Sequence, residues 1–416
     1  MGLNTPYACM QRGRLLPPVP VWEKTRMSEK RQVKRVIGLD AHPYLFTAAA
    51  LAGADALQAE MEWCVDRADL RRLEAILKKR TRPGDVIVLE ASGNSFAVAE
   101  RLAKIGLCPV VLESQAVGKV GKAYCATDKI DAIKIARVYL SGLAHTVWMP
   151  DAKAAERREV FFGYRNAVAD SVRERNRIWA FLNQQCVKRP KGLRLAAPTA
   201  RDKLLALHAW TGTQRWLLAE MVEAFQKAEA RRKRFRARIA EEVAGDPDIL
   251  RLVRLMGVRE RVAFALAAFI GNIERFATPK KLVAFFGLNP RVSRSGISGG
   301  TGPLTGLGRS DVRALLIQGA QSILRYGQGS THRWAVALKM RKGTNIAVAA
   351  LARKMVVSIW YLLKGLLVPM SEATPQILVK MHKIAAVIGK GRLREMGYET
   401  GIRFVEEKIR IVMGAA

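Results

Sequence analysis

Four carboxylates stand in a fixed order along the chain. Asp40 ends the apolar run Val36-Ile37-Gly38-Leu39-Asp40, and Glu90 ends a second, Val86-Ile87-Val88-Leu89-Glu90. Asp128 and Asp131 lie in Thr127-Asp128-Lys129-Ile130-Asp131-Ala132, where helical spacing begins. Carboxylates at the ends of buried strands are costly unless something uses them. The three-residue spacing puts Asp128 and Asp131 on one helix face, near the positive end of the helix dipole. A plain N-cap at Asp128 has the same signature. If the four converge, they suit Mg²⁺, a hard cation that takes oxygen ligands. Two such ions, roughly 3.5–4 Å apart, can clamp the attacking and leaving oxygens of a phosphodiester.

Charge points to the same kind of substrate. Lys and Arg number 70 against 36 Asp and Glu, a formal net charge of +34. Such an excess fits a large polyanion, and nucleic acid above others. A solvated basic surface, or a binder without chemistry, is the alternative that the carboxylates oppose. Cys9, Cys64, Cys108, Cys125 and Cys186 form no CxxC pair, and His42, His145, His208, His332 and His382 are scattered. Neither a zinc site nor a disulfide framework is indicated, a pattern that fits a reducing cytoplasm. By inspection, no apolar stretch reaches the roughly 18 residues of a membrane span, so no membrane partner is expected. Residues 1–31 read as a disordered basic arm, with Met27 as an alternative start.

The elements that must position the carboxylates follow from periodicity. Strands are expected over 33–40, 44–52 and, more weakly, 58–65. A helix over 67–80 carries Leu70, Leu73 and Ile76 on one face. Pro83-Gly84-Asp85 is a turn. Then come a strand over 86–90, a helix over 95–105, a short strand over 109–113 and a helix over 128–141. Three strands, helix, strand, helix, strand, helix is the order of a ribonuclease-H-like fold, in which the first and fourth strands are neighbours. Their terminal carboxylates can then meet.

Further along, the class changes from α/β to α. Phe161, Tyr164, Val168, Val172, Ile178 and Leu182 follow helical spacing, and a second long helix runs over about 214–243. The pair reads as an antiparallel hairpin or coiled coil. Arg231, Arg232, Lys233, Arg234, Arg236 and Arg238 crowd eight positions of it, which favours phosphate contact over a merely solvated face. Leu255-Met256-Gly257-Val258 followed by the apolar stretch 262–270 resembles a helix-hairpin-helix, whose backbone N–H groups can meet phosphate. Gly287-Leu288-Asn289-Pro290-Arg291-Val292-Ser293-Arg294-Ser295-Gly296 leads into a Gly-rich stretch, 297–308, expected as a mobile loop. Helices follow over 310–325 and 345–363. On composition alone, Ser295 is an ordinary loop serine beside Arg291 and Arg294.

These stretches together resemble a family. Gly38-Leu39-Asp40-Ala41-His42, Leu89-Glu90-Ala91-Ser92-Gly93, the 127–132 segment, Arg173-Glu174-Arg175-Asn176-Arg177-Ile178, Met256-Gly257-Val258, Arg275-Phe276, Gly287-Leu288-Asn289-Pro290, Ser295-Gly296 and Arg313-Ala314-Leu315-Leu316 are collinear over residues 34–365. In that order they resemble the DEDD transposases of the insertion sequence 110 family, bridge-RNA-guided serine recombinases. The resemblance implies a RuvC-like catalytic domain over 32–148, a coiled-coil linker over 149–248, and a mostly helical transposase domain over 249–368. A basic extension over 369–416 lies beyond the family's usual limits. It implies Asp40, Glu90, Asp128 and Asp131 as Mg²⁺ ligands and Ser295 as a covalent nucleophile, with Ser293 and Ser298 as neighbouring alternatives. It implies donor and target DNA, a structured noncoding RNA, and a dimer or tetramer in which one copy's carboxylates serve another's serine. Contacts to nucleic acid are expected from Arg231, Arg232, Lys233, Arg234, Arg291, Arg294, Arg309 and Arg313. The setting implied is the bacterial cytoplasm and nucleoid. Family members carry a Lys where Gly306 aligns. Two rivals remain: a RuvC-like nuclease or resolvase that uses water, and a non-enzymatic RNA- or DNA-binding scaffold.

Overall fold

The computed structural model of the chain describes residues 35–119, 127–295, 298–366 and 370–413. The basic arm over 1–31, Met27, and the first two residues of the expected strand 33–40 lie outside the described residues. The chain divides into two compact units, 1–149 and 150–416.

The first unit is a five-stranded sheet with helices on both faces. Its elements are β1 (Arg35–Ala41), β2 (Leu45–Ala52), β3 (Glu60–Asp69), α1 (Leu73–Arg80), β4 (Val86–Glu90), α2 (Ser95–Lys104), β5 (Pro109–Leu112), α3 (Ser114–Lys119) and α4 (Asp128–Leu140). The strand order is β3-β2-β1-β4-β5. β1 and β2 pair antiparallel, as do β2 and β3, whereas β1–β4 and β4–β5 are parallel. The first and fourth strands are therefore neighbours, as the element order implied. Strand side chains alternate between faces. Ile37, Leu39, Ile87 and Leu89 pack with Leu73, Leu77, Val98 and Leu102 on one face. Val36 and Val88 pack with Ile135, Ala136 and Val138 of α4 on the other.

Two contacts fix this arrangement. Arg35 is buried at the start of β1 and donates to both oxygens of Asp85 (3.0 and 2.5 Å), to Glu62 (2.7 Å) and to the Arg80 carbonyl (2.9 Å). Asp85 directly precedes β4, so this pair ties the starts of two parallel strands. At Gly38, α4 lies against the strand itself. A Cβ there would sit 1.8 Å from the Ala132 carbonyl oxygen and 3.0 Å from the Ala136 nitrogen.

The expected helix over 67–80 starts too early. β3 runs on to Asp69, whose side chain accepts from the Arg71 N–H and opens a 3-10 turn, Leu70–Arg72. The extra strand residues follow a β-bulge in the β2–β3 pairing between Phe46 and Ala48, which no alternating pattern announces.

The second unit is almost wholly helical. It contains α5 (Ala152–Gln184), α6 (Ala200–Leu205), α7 (Gly212–Gly245), α8 (Pro247–Arg251), α9 (Glu260–Ile270), α10 (Pro279–Phe285), β6 (Pro290–Ser295), β7 (Ser298–Leu304), α11 (Ser310–Tyr326), α12 (Gly329–Lys342), α13 (Thr344–Leu363), α14 (Thr374–Ile388), α15 (Lys390–Glu395) and α16 (Gly401–Met413). α5 and α7 form the antiparallel hairpin, with Gln214 donating to Gln185, Arg231 to Asp170 and Lys153 to Asp246 along its length. The Gly-rich stretch is not a loop throughout: Ser298–Leu304 is a strand paired with β6, while Gly296 and Ile297 lie outside the described residues.

Two further expectations change. α12 is an element that the sequence does not announce, because only its Ala335 is buried and no buried apolar stripe marks it. By length and composition α13 could cross a membrane, which corrects the expectation that no stretch qualifies. Its Leu351, Ala352, Met355, Val356 and Ile359 are instead buried in the core of this unit. The C-terminal extension joins that core too. Lys380 of α14 is buried and donates to the Val253 and Leu255 carbonyls (3.0 and 2.7 Å), and burial lowers its pKa to about 8.

Gly38→Ala should destabilise the protein by about 1–3 kcal/mol, the cost of overpacking a close contact. Urea denaturation measures it, and an unchanged midpoint would mean that α4 does not depend on this approach.

Candidate active site

The carboxylates take their places from the sheet. Gly38 and Asp40 are two apart, so they share the face of β1 that α4 covers. The parallel register Leu39↔Leu89 sets Asp40 beside Glu90, one residue on. Both line a cavity of about 220 Å³ with Leu39, Ala41, Leu89 and Ser92. From the helix side, Thr127 is the N-cap of α4 and its side chain accepts from the Ile130 N–H. Asp128 is therefore not the cap, and its carboxylate is free to turn to the sheet.

It does so in company that sequence reading passed over. His42 Nε2 lies 3.3 Å from Asp40 Oδ2 and 3.6 Å from Asp128 Oδ1. One ligand atom from each of Asp40, His42 and Asp128 fits within 4.8 Å of the others. Glu90 and Asp131 are not in that tight group. They bear on it through charge. Arg67 reaches Asp128 at 3.4 Å, from the β-bulge, where its φ of 48° is left-handed. The His42 carbonyl accepts from Asn94 Nδ2 at 3.1 Å, which holds the loop after β1. His42 had a signal, since it lies two residues beyond Asp40. Arg67 had none.

Burial pushes the Asp40 carboxyl above the ordinary range, opposed by His42 and reinforced by Asp131 and Asp128. Burial also raises Glu90, with Asp40 adding to it, Lys134 opposing and Asp131 adding again. A site where burial and like charge both disfavour carboxylates gains from any cation that enters. Two aspartates, an imidazole and a nearby glutamate form an oxygen-rich donor set that fits Mg²⁺ or Mn²⁺.

The other expected residues belong to the second unit. Ser295 is the last residue of β6, in register with Ser298 at the start of β7, and Ser293 pairs with Gly300. All three candidate serines thus lie in one hairpin. Arg291 is exposed on β6. Arg309 and Arg313 have structural partners. Arg309 bonds Asp311 at 2.7 Å and lies over the Phe269 ring at 4.1 Å, while Arg313 donates to the Phe286 carbonyl at 3.1 Å. Gly287, at φ +66°, passes so close to Leu307 and Arg313 that no side chain fits. The run on α7 is largely neutralised within the fold. Arg231 pairs with Asp170, Arg232 with Glu229, Arg236 with Glu260 and Arg238 with Glu242. Lys233 and Arg234 remain exposed.

Comparison with known proteins bears on both units. Residues 250–335 match the family described as Transposase IS116/IS110/IS902 family, a span that contains the hairpin and Ser295. A "Probable family 20 transposase" of Pseudomonas aeruginosa is 28% identical over 339 residues, covering 79% of this chain and 96% of that protein. The "Transposase for insertion sequence element IS1111A" of Coxiella burnetii is 36% identical over 119 residues, 28% of this chain and 33% of that one.

The raised carboxyls make a signed prediction. A carboxyl whose folded pKa is raised binds its proton more tightly folded than unfolded, so stability falls as pH rises through that window. Metal-free Asp40→Asn should therefore melt higher than wild type at neutral pH, and the gap should narrow toward about pH 4, the ordinary carboxylate range. Added Mg²⁺ should raise the melting temperature of wild type but not of Asp40→Asn. Calorimetry decides: equal Mg²⁺ responses would remove Asp40 from any metal site.

Proposed function

We infer that the chain is a DNA transposase of the IS116/IS110/IS902 family of mobile elements, and that it cuts and rejoins DNA through a covalent phosphoserine. The observation that carries this reading is the convergence of Asp40, His42 and Asp128 beside Glu90 at the end of the sheet. The strand order β3-β2-β1-β4-β5 supports a ribonuclease-H-like, RuvC-like assignment for the first unit. Asp40, Asp128 and His42, with Glu90 and Asp131 nearby, would hold divalent metal. That metal supplies charge neutralisation at a phosphodiester and a lowered pKa for bound hydroxyl groups.

The remaining chemistry belongs to the protein. The Ser295 Oγ attacks phosphorus, an Oγ–P bond forms, the bond from phosphorus to the deoxyribose oxygen breaks, and the serine proton ends on the released hydroxyl. A carboxylate with raised pKa suits the general-base part of such a transfer. Arg291 and Arg294, on the same strand as Ser295, supply positive charge to the phosphate. Reversal with a new hydroxyl rejoins the strand without hydrolysis. The reading includes a dimer or tetramer in which one copy's carboxylates serve another's serine. A structured RNA pairing with donor and target DNA would supply sequence choice, leaving the protein to hold backbone and shape.

The test expresses the protein with its native flanking DNA, adds Mg²⁺ with donor and target DNA, and denatures in detergent. Protein-linked DNA is expected from wild type and from neither Ser295→Ala nor Asp40→Asn, with DNA binding retained in both variants. Cut DNA without an adduct would mean water is the nucleophile. Adduct from Ser295→Ala would move the nucleophile to Ser293 or Ser298.

A further inference from the structure

We propose that α12 enters the major groove of duplex DNA as the second helix of a helix-turn-helix formed with α11. The proposal rests on the transposase reading, which supplies DNA as the partner. α11 ends at Tyr326 and α12 begins at Gly329, so only Gly327 and Gln328 separate them. A short Gly-containing turn between two helices is compatible with that motif, whose turn usually has three or four residues.

The outward face of α12 is built for a groove. Arg333, Val336, Ala337 and Met340 recur at i, i+3, i+4 and i+7, so they share one face, and all four are exposed. Met340 is 81% exposed, and Val336, one turn before it, is exposed on the same face. Lys339 and Arg341 flank it and Lys342 follows, all exposed. The opposite face, with Trp334 and Ala335, turns inward to the core, and Lys354 of α13 lies over the Trp334 ring at 4.2 Å. A major groove matches this layout: thymine methyls and base edges lie on its floor, with phosphates on both walls.

Charge separates this face from an ordinary wet one. No Asp or Glu occurs anywhere from Val312 to Ser371. Among the described residues, no salt bridge involves Arg325, Arg333, Lys339, Arg341 or Lys342. On α7, by contrast, Arg231, Arg232 and Arg238 have carboxylate partners in Asp170, Glu229 and Glu242. The fourteen residues of α12 make a rod of about 21 Å at 1.5 Å per residue, long enough to lie across the groove. A-form RNA has too narrow a major groove to admit such a helix, so duplex DNA is the partner that fits.

The experiment measures binding of duplex DNA by the full chain across a salt series, using fluorescence anisotropy. It compares wild type, the quadruple variant Arg333→Gln, Lys339→Gln, Arg341→Gln, Lys342→Gln, and the single variant Met340→Glu. All substituted side chains are exposed, and circular dichroism verifies folding. Neutralising four phosphate contacts should flatten the salt dependence by roughly three to four in log–log slope and weaken binding tenfold or more at moderate salt. Met340→Glu should weaken binding without losing a cation. Wild-type slope and affinity in both variants would overturn the proposal. So would loss of RNA binding with DNA binding intact, or loss of self-association alone. If wild type itself does not bind duplex DNA, the transposase reading fails with it. Binding by wild type that both variants match would sink only the helix assignment.

Discussion

The approach of α4 to Gly38 is the constraint on which the geometry of the carboxylate cluster depends. Asp40 lies two residues further along the same strand face, and Asp128 lies one helical turn before Ala132, whose carbonyl touches Gly38. Any side chain at Gly38 would lift the helix, and with it Asp128 and Asp131, away from the strand carrying Asp40. Arg35 supplies the complementary constraint at the far end of the strand. Its pairs with Asp85 and Glu62 tie β1 to the start of β4 and to β3, and so set the register that brings Glu90 level with Asp40. Breaking a buried charge pair by removing one partner costs about 3–5 kcal/mol, whereas slipping a strand by one residue would turn Glu90 to the opposite face. The two constraints are of different kinds. One is a close van der Waals contact and the other an ion pair, and both converge on one strand.

In the second unit, charge arrangement matters more than charge count. A net charge of +34 predicts a polyanionic partner but not the surface that meets it. The densest basic run, on α7, is where most arginines already have carboxylates along the α5–α7 hairpin and on α9. Arg309 and Arg313 likewise shape the turn around Gly287 that leads into the serine hairpin. A guanidinium with a carboxylate or carbonyl partner contributes less to an incoming phosphate than an unpartnered one, since the partner must be given up. The stretch from Val312 to Ser371, which holds no Asp or Glu, is where the excess remains available.

How much of this was legible follows from what each signal measures. Runs of alternating or continuous apolar residues mark β1, β2 and β4 strongly, because burial on two faces leaves a clear record, whereas β3, which has no buried residue, is marked weakly. Asp40 and Glu90 stand out in the sequence because each ends an apolar run, and Asp128 and Asp131 because both fall in the first turn of a helix. His42 was half visible, two residues beyond Asp40, yet nothing in one sequence says that a histidine turns back toward its neighbour. β3 was read short and the following helix long, because a bulge changes register without changing composition. The sequence of the serine hairpin reads as a loop because glycine reports freedom of φ and not the pairing that uses it. α12 was missed for an opposite reason: a helix recognised by its buried stripe is invisible when only Ala335 is buried.

Arg67 shows why the remainder of the site could not be read. Its backbone is left-handed, a state that costs a non-glycine residue roughly 1–2 kcal/mol. The surroundings hold it there. The buried Thr47 hydroxyl accepts from the Arg67 N–H at 3.0 Å and donates to Asp66 Oδ1 at 3.0 Å, so the bulge is anchored from the neighbouring strand. The consequence is a guanidinium aimed at Asp128. Together with His42, it offsets part of the repulsion among Asp40, Asp128 and Asp131 when no cation is bound. A cluster of half-buried like charges is unstable alone, and the bulge sets the Arg67 guanidinium beside it as a counter-charge. Strain at Arg67 and repulsion at Asp40 are thus linked costs of one site.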